Sequence, residues 1–447
     1  MNTRRILALS FLCSAVLAPA AVAQDFFAGG GVSDVFRVTP QGVFTQVTFG
    51  PGMVQPAGGV PFEIDQRFGH LIIADRAVSG GDIQIFRTVI AGTTAVQQTL
   101  LMTIPNTPGP VPYAGSIHRA GDGSFVLLSR GTSGVSHRLD RLGLTLQGGV
   151  STQIPINNLG IFGTTGVTHV AVDNLGAIFM TGPNGSSGRI FRLDPAGGNV
   201  TLFNTSTRID YFSLEVRPDG SLIAGGLPLT SSPFPANLAC GITATSQGGL
   251  LQVGAGPAVS GVADLFVEEG GLAYMVLNNT GVSTIQSHNV AQCGLGNVIG
   301  SPNGVVLRRV ARIDPQRRPE YGSSCITTAM MLGRNTELAP PILTLPWVIG
   351  LTNGLPNGGA VVSVGNSELA APVSLGAFGA PDCSLFQSNE ATSSLITLNA
   401  QGAAQFQLLV PPDPALVNSS LFAQWGVLTN ANPFGIAMTN AIHSIIQ

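Results

Sequence analysis

Apolar residues along this chain come in runs of four to six, separated by Gly, Pro, Asn and Ser, a pattern of short strands joined by turns. One unit recurs: an apolar strand, a polar turn containing glycine, and a second apolar strand. It is seen at Phe62-Glu63-Ile64-Asp65 through Gly69 to Leu71-Ile72-Ile73, and again around Gly123, Gly176, Gly220 and Gly271. A second marker centres on an arginine, as in Val35-Phe36-Arg37-Val38, Ile85-Phe86-Arg87-Thr88, His137-Arg138-Leu139-Asp140 and Ile190-Phe191-Arg192-Leu193-Asp194. A late copy stands at Ala311-Arg312-Ile313-Asp314. Both markers repeat at about fifty residues, the period of four-stranded propeller blades. The arginine marker comes first and the turn marker follows, so the first strands are expected to close a ring by pairing with a late one, leaving no open edge. Six blades are favoured.

From residue 335 onward the fifty-residue markers stop and arginine disappears, while strand-like runs continue at Ala360–Val364, Ser394–Leu398 and Gln405–Val410. The expectation is therefore an all-β chain: a β-propeller over 24–316, a linker and domain start over 317–334, and a C-terminal β-sandwich over 335–447.

Two resemblances attach to these residues. The pattern Gly59-Val60-Pro61-Phe62 to Gly69 and Gly166-Val167-Thr168-His169 to Gly176, with Phe-Arg-Leu-Asp later, resembles the NHL and SMP-30/lactonase-like propellers over about 25–315. That resemblance implies the fold, and in its lactonase-like members a divalent cation held in the channel. Tyr321-Gly322-Ser323-Ser324-Cys325, Ala380-Pro381-Asp382-Cys383-Ser384-Leu385 and Leu421-Phe422-Ala423-Gln424-Trp425 are similar to a module that closes many exported bacterial proteins. This implies a structural or sorting role for 320–447. The alternative for that region, a carbohydrate-binding sandwich, would use Trp347 or Trp425 as a stacking platform, against the plainer expectation of buried core tryptophans.

Composition narrows the class. Charged residues are only 10% of 447, and mean hydropathy is +0.35, yet no run of about 18 apolar residues follows residue 24, so no transmembrane segment is expected in the mature chain. Arg4-Arg5, the apolar stretch Ile6–Ala18 and Ala21-Val22-Ala23 read as a signal peptide over 1–23, placing the protein in the periplasm, at the cell surface or outside the cell. Cleavage removes two arginines and no acid, making the chain more acidic than its formal net charge of −3. With all 20 basic residues arginine and no basic run, nucleic-acid binding is excluded. The mature cysteines, Cys240, Cys293, Cys325 and Cys383, suit two disulfides in an exported chain. Three pairings exist, and a domain boundary between Cys293 and Cys325 favours Cys240–Cys293 with Cys325–Cys383.

Candidate chemistry lies on the strands just before the turns. Glu63, His118, His169, Glu215 and Asp264 fall near that position in successive repeats and are expected to converge on the channel mouth. Such groups either hold a divalent cation that polarises an ester or lactone, with His169 and Asp264 the first metal candidates, or serve as solvated channel linings and partners for backbone groups. The repeated arginines read as inter-blade ties, and His137 as a packing substitute for phenylalanine. No GxSxG elbow, EF-hand loop or Walker loop occurs. The leading expectation is a monomeric, non-catalytic binding or scaffolding propeller with no cofactor and an unknown protein or glycan ligand. The alternative is a metal-dependent lactonase-like hydrolase or lyase.

Overall fold

The computed structural model describes residues 26–447 apart from 31–33, 57–59, 77–80, 106–112, 131–136, 159–165, 183–186, 218, 230–236, 254–258, 269–271, 280–281, 290–295, 303–304, 313–317, 329–330 and 391. The signal peptide expected over 1–23 lies outside the described residues. The chain is all-β: among the described residues the only helical turns are two three-residue 3-10 helices in the C-terminal part.

Among the described residues up to Arg312 there are six four-stranded antiparallel sheets, with one short parallel pairing of Ile156–Asn157 with Gly198–Asn199. Their innermost strands are Leu307–Arg312 (sheet 1), Phe62–Asp65 (sheet 2), Tyr113–Arg119 (sheet 3), His169–Val172 (sheet 4), Ile209–Val216 (sheet 5) and Val259–Val267 (sheet 6). Each innermost strand neighbours the next, and that of sheet 6 neighbours that of sheet 1. The ring is therefore a closed β-propeller. Closure is made by Phe26–Gly30, which pairs on one side with Val35–Val38 and on the other with Leu307–Arg312, so the two ends of the ring share one sheet.

Alternation along these strands puts apolar side chains on both faces of each sheet, and each face meets a neighbouring sheet. Six apolar clusters result, one per junction. Sheets 1 and 2 share Phe27, Val35, Ile64 and Leu71, and sheets 6 and 1 share Tyr274, Val276, Phe36 and Val38. The other four junctions are built in the same way. Two of the repeated arginines tie neighbouring sheets together. Arg37 donates to the Gly92 carbonyl of sheet 2 at 2.6 Å, and Arg138 holds Asp140 at 2.7 Å while donating to the Pro105 carbonyl. His137 Nε2 accepts the Val167 N–H of the next sheet at 2.8 Å.

The C-terminal part forms a five-stranded sheet and a three-stranded sheet around one apolar core. The five-stranded sheet starts at Glu320–Tyr321, which pairs with Ile436–Ile445, so chain order here begins before residue 335. Trp347 and Trp425 are both fully buried in that core, their indole N–H groups satisfied by Glu337 at 3.0 Å and Asn335 at 3.1 Å. Neither is available as a stacking platform, which removes the carbohydrate reading built on them. Cys325–Cys383 is disulfide-bonded, as expected; Cys240 is also disulfide-bonded, and its expected partner Cys293 lies outside the described residues.

This C-terminal unit sits on the turns that follow the innermost strands. In the sheet 2 turn, Arg67 is buried between Asp65 and Glu368, 2.9 Å from each, and its guanidinium stacks 4.4 Å from the Tyr321 ring centroid. In the sheet 3 turn, Gly123 has φ +86° and lies so close to the Glu320–Tyr321 backbone that a Cβ would come within 2.4 Å of the Glu320 carbonyl. In the sheet 4 turn, Gly176 lies against Leu332. The sheet 5 turn is different: among the described residues, a Cβ on Gly220 would meet nothing within 4 Å.

Candidate functional site

Each of the six innermost strands places an ionisable side chain around the channel. Sequence spacing identified five, Glu63, His118, His169, Glu215 and Asp264, and the structure brings all five together. It adds a sixth, Arg309, from the strand that closes the ring. Its position was foreshadowed, since it follows Asp264 by 45 residues, close to the repeat period. The closing sheet has no turn marker of its own, and that hid it.

These groups form a pair and a trio of unequal character, with Glu63 beside them. His118 Nε2 lies 2.6 Å from Glu215 Oε1. Burial disfavours the imidazolium, but the Glu215 carboxylate, with Glu63 and Asp264 beyond it, outweighs burial and raises the His118 pKa. On the opposite side Arg309 Nη1 lies 3.2 Å from His169 Nε2 and 3.6 Å from Asp264 Oδ1, and its other nitrogen donates to the Gly115 carbonyl. Asp264 Oδ2 also accepts the Val310 N–H at 2.9 Å. His169 Nε2 also lies 3.5 Å from Asp264 Oδ1, so the imidazole stands between a guanidinium and a carboxylate. Burial and then the Arg309 charge hold its pKa below the ordinary value, against the opposing pull of Asp264. Glu63 has its Oε1 bonded to the Ile64 N–H at 2.8 Å. Burial raises its pKa to about 7, His118 opposes this, and Glu215 and Asp264 reinforce it.

The metal expectation can be tested on this donor set. Among the described residues no three His, Cys, Asp or Glu side chains are grouped to hold an ion. His169 and Asp264, its first candidates, face a guanidinium that already supplies positive charge. The residues present do not fit a resident divalent cation.

Above these residues the channel widens into a cavity of about 380 Å³. Glu63, His118 and Glu215 form its floor; Arg119, Arg217, Glu268 and Asn174 line the propeller side of its rim, and Phe266 one wall. The rim's remaining cation, Arg318, stands at the entrance to the C-terminal unit, which thereby contributes to the site. A void of about 20 Å³, the size of one water, lies deeper, between the pair and the trio. Sequence spacing did not single out these arginines: Arg217 stands inside the turn marker at Gly220, Arg119 adjoins His118, and Arg318 belongs to the stretch expected to be a linker.

No family model matches the chain, and no curated protein matches it. Solved structures do resemble it. A chain of hydrazine synthase from Kuenenia stuttgartiensis is 11% identical with a TM-score of 0.44, over 95% of this chain and 68% of that one. The periplasmic gluconolactonase of Pseudomonas aeruginosa is 13% identical, with a TM-score of 0.37 over 62% of this chain and 79% of that one. YCF48 bound to a D1 peptide is 12% identical, with a TM-score of 0.37 over 62% and 78%. Likenesses this remote carry no argument about activity, and the propeller assignment rests on the closed ring of sheets.

Proposed function

We propose that this protein is an exported, non-catalytic propeller whose channel mouth binds a ligand, with 24–316 as the propeller, 317–334 as the lead-in and 335–447 as a β-sandwich. The observation that carries this reading is the guanidinium of Arg309 beside both His169 and Asp264. In a metal-dependent hydrolase those side chains would be free to ligate; here they are engaged by an internal cation, as His118 and Glu215 are by each other. What remains for function is the cavity above them. The disulfide at Cys325–Cys383 supports export, since such bonds persist in oxidising compartments.

The test is metal content. Plasma mass spectrometry of the purified, dialysed mature protein should find well under one divalent ion per chain. About one ion per chain, lost on His169→Ala or Asp264→Ala, would overturn the reading in favour of the metal-dependent hydrolase or lyase.

A further inference from the structure

Arg67 is not the only side chain of the sheet 2 turn that meets the C-terminal unit. His443 lies flat on Phe422 of the neighbouring strand, with ring centroids 4.5 Å apart and planes within 4° of parallel. Its centroid is also 5.6 Å from that of Phe68 in the sheet 2 turn, and Phe68 in turn stacks on His70 at 5.4 Å. The His443 imidazole therefore packs against one ring from each unit, at the seam between them. Its Nε2 is 3.0 Å from the Ser420 hydroxyl, a neutral partner, and its backbone N–H donates to the Pro319 carbonyl at 3.0 Å.

The charges around this ring favour its neutral form. The Arg67 guanidinium lies 5.0 Å from the Phe68 centroid and 4.4 Å from that of Tyr321, and Tyr321 meets Phe422 edge-on at 6.3 Å, so the cation shares the ring cluster with His443. The carboxylates of the cluster, Asp65 and Glu368, are each 2.9 Å from Arg67 and engaged by it. Glu320 stands opposite Ile442 in the adjoining strand, and by alternation faces the other side of the sheet from His443. The strand of Phe422, Ser420–Leu428, carries no charged residue, and Arg318 lines the cavity. Burial, and then the Arg67 charge, hold the His443 pKa down at about 4, with Asp65 opposing. Released to water, the imidazole returns to its ordinary 6.5. Between those values the released ring takes up a proton that the seated ring refuses, so seating weakens as pH falls from about 6.5 to 4. Glu368 has the opposite sign: burial raises its pKa, so its protonation on acidification favours the docked state.

We propose that the seam between the propeller and the C-terminal unit is an acid-released latch, in which His443, packed against Phe68 and Phe422, holds the unit down while its ring is neutral and lets go when it is protonated. The latch stands on the docking contacts and does not require the cavity to bind a ligand. Its release would nevertheless be felt there, since Arg318 lines the cavity and the Glu320 carbonyl accepts from Arg119.

Two readings on the full mature protein test the latch. In a proton NMR titration the His443 ring resonance, assigned by its loss in His443→Phe, should have a midpoint well below 6.5, towards 4. A midpoint at 6.5 or above overturns the proposal. Calorimetric unfolding is then followed from pH 7.5 to 4.5 in wild type and His443→Phe, which keeps a ring on Phe422 and takes up no proton. As pH falls, the C-terminal transition of wild type should drop away from that of the propeller, while in His443→Phe the two stay together. Comparing the two proteins cancels the opposing contribution of Glu368, which both retain. If His443→Phe does not fold at pH 7.5, His443→Gln replaces it, keeping a polar partner for Ser420 and no titrating group. Parallel pH profiles, with only a constant offset between wild type and the variant, overturn the proposal.

Discussion

Glu63 and Arg309 show how much one side chain decides in this channel. Glu63 titrates near 7 in the folded protein and near its ordinary 4.5 in the unfolded chain, because burial penalises its charged form. Between those values the folded state keeps a proton that the unfolded chain has released, so stability falls as pH rises from about 4.5 to 7. The Glu63 contribution is at most about 3 kcal/mol. His118 acts in the same direction: its raised pKa stabilises the fold below the ordinary value of 6.5, and that gain is lost as pH rises through the folded value. Glu63→Gln keeps the acceptor for the Ile64 N–H and removes the charge. Its melting temperature should match wild type near pH 4.5 and exceed it near pH 8; a parallel pH profile would show that Glu63 is not the titrating group. At this scale the sequence was informative wherever the repeat was regular. It located Glu63, His118, His169, Glu215 and Asp264 through their common offset from a turn. It did not show which would pair with which, because pairing depends on how the ring closes and on where Arg309 then falls.

Among the elements, the turns after the innermost strands separate two roles that one sequence marker conceals. Gly123 and Gly220 hold equivalent positions with φ +86° and +79°, and an alanine at either faces the same left-handed strain of about 1–2 kcal/mol. Only Gly123 also touches the C-terminal unit, through the Glu320–Tyr321 backbone. Gly123→Ala should therefore destabilise the protein distinctly more than Gly220→Ala in denaturant titrations, and equal losses would argue against tight docking at that turn. Arg67 makes the stronger case. Removing it leaves Asp65 and Glu368 buried without their cation, a loss of about 3–5 kcal/mol for a broken buried pair. Arg67→Met should lower the melting temperature and split calorimetric unfolding into two transitions as the C-terminal unit uncouples; a single unshifted transition would contradict this. Reducing Cys325–Cys383, whose cysteines lie 58 residues apart, should cost about 4 kcal/mol in a chain-entropy account, measured by unfolding with and without reductant. None of the docking contacts was legible in the sequence, because Arg67, Glu320 and Glu368 carry no periodic signal and meet only in three dimensions.

For the whole molecule, the ring was legible because a fifty-residue period leaves the chain few ways to bury both faces of every sheet. Six apolar junctions between six sheets are the outcome. The channel then inherits whatever the innermost strands carry, and here they carry cations and acids that satisfy one another, with a pocket lined by both arginines and glutamates left above them. Function on this account follows from the strand Leu307–Arg312, which brings Arg309 beside His169 and Asp264. Calorimetric titration of calcium, manganese and zinc into wild type and Arg309→Ala tests that most directly. Wild type should show no saturable binding, and Arg309→Ala, with His169 and Asp264 released, should bind at least one of the ions. Saturable one-to-one binding in wild type that disappears on His169→Ala would contradict the account.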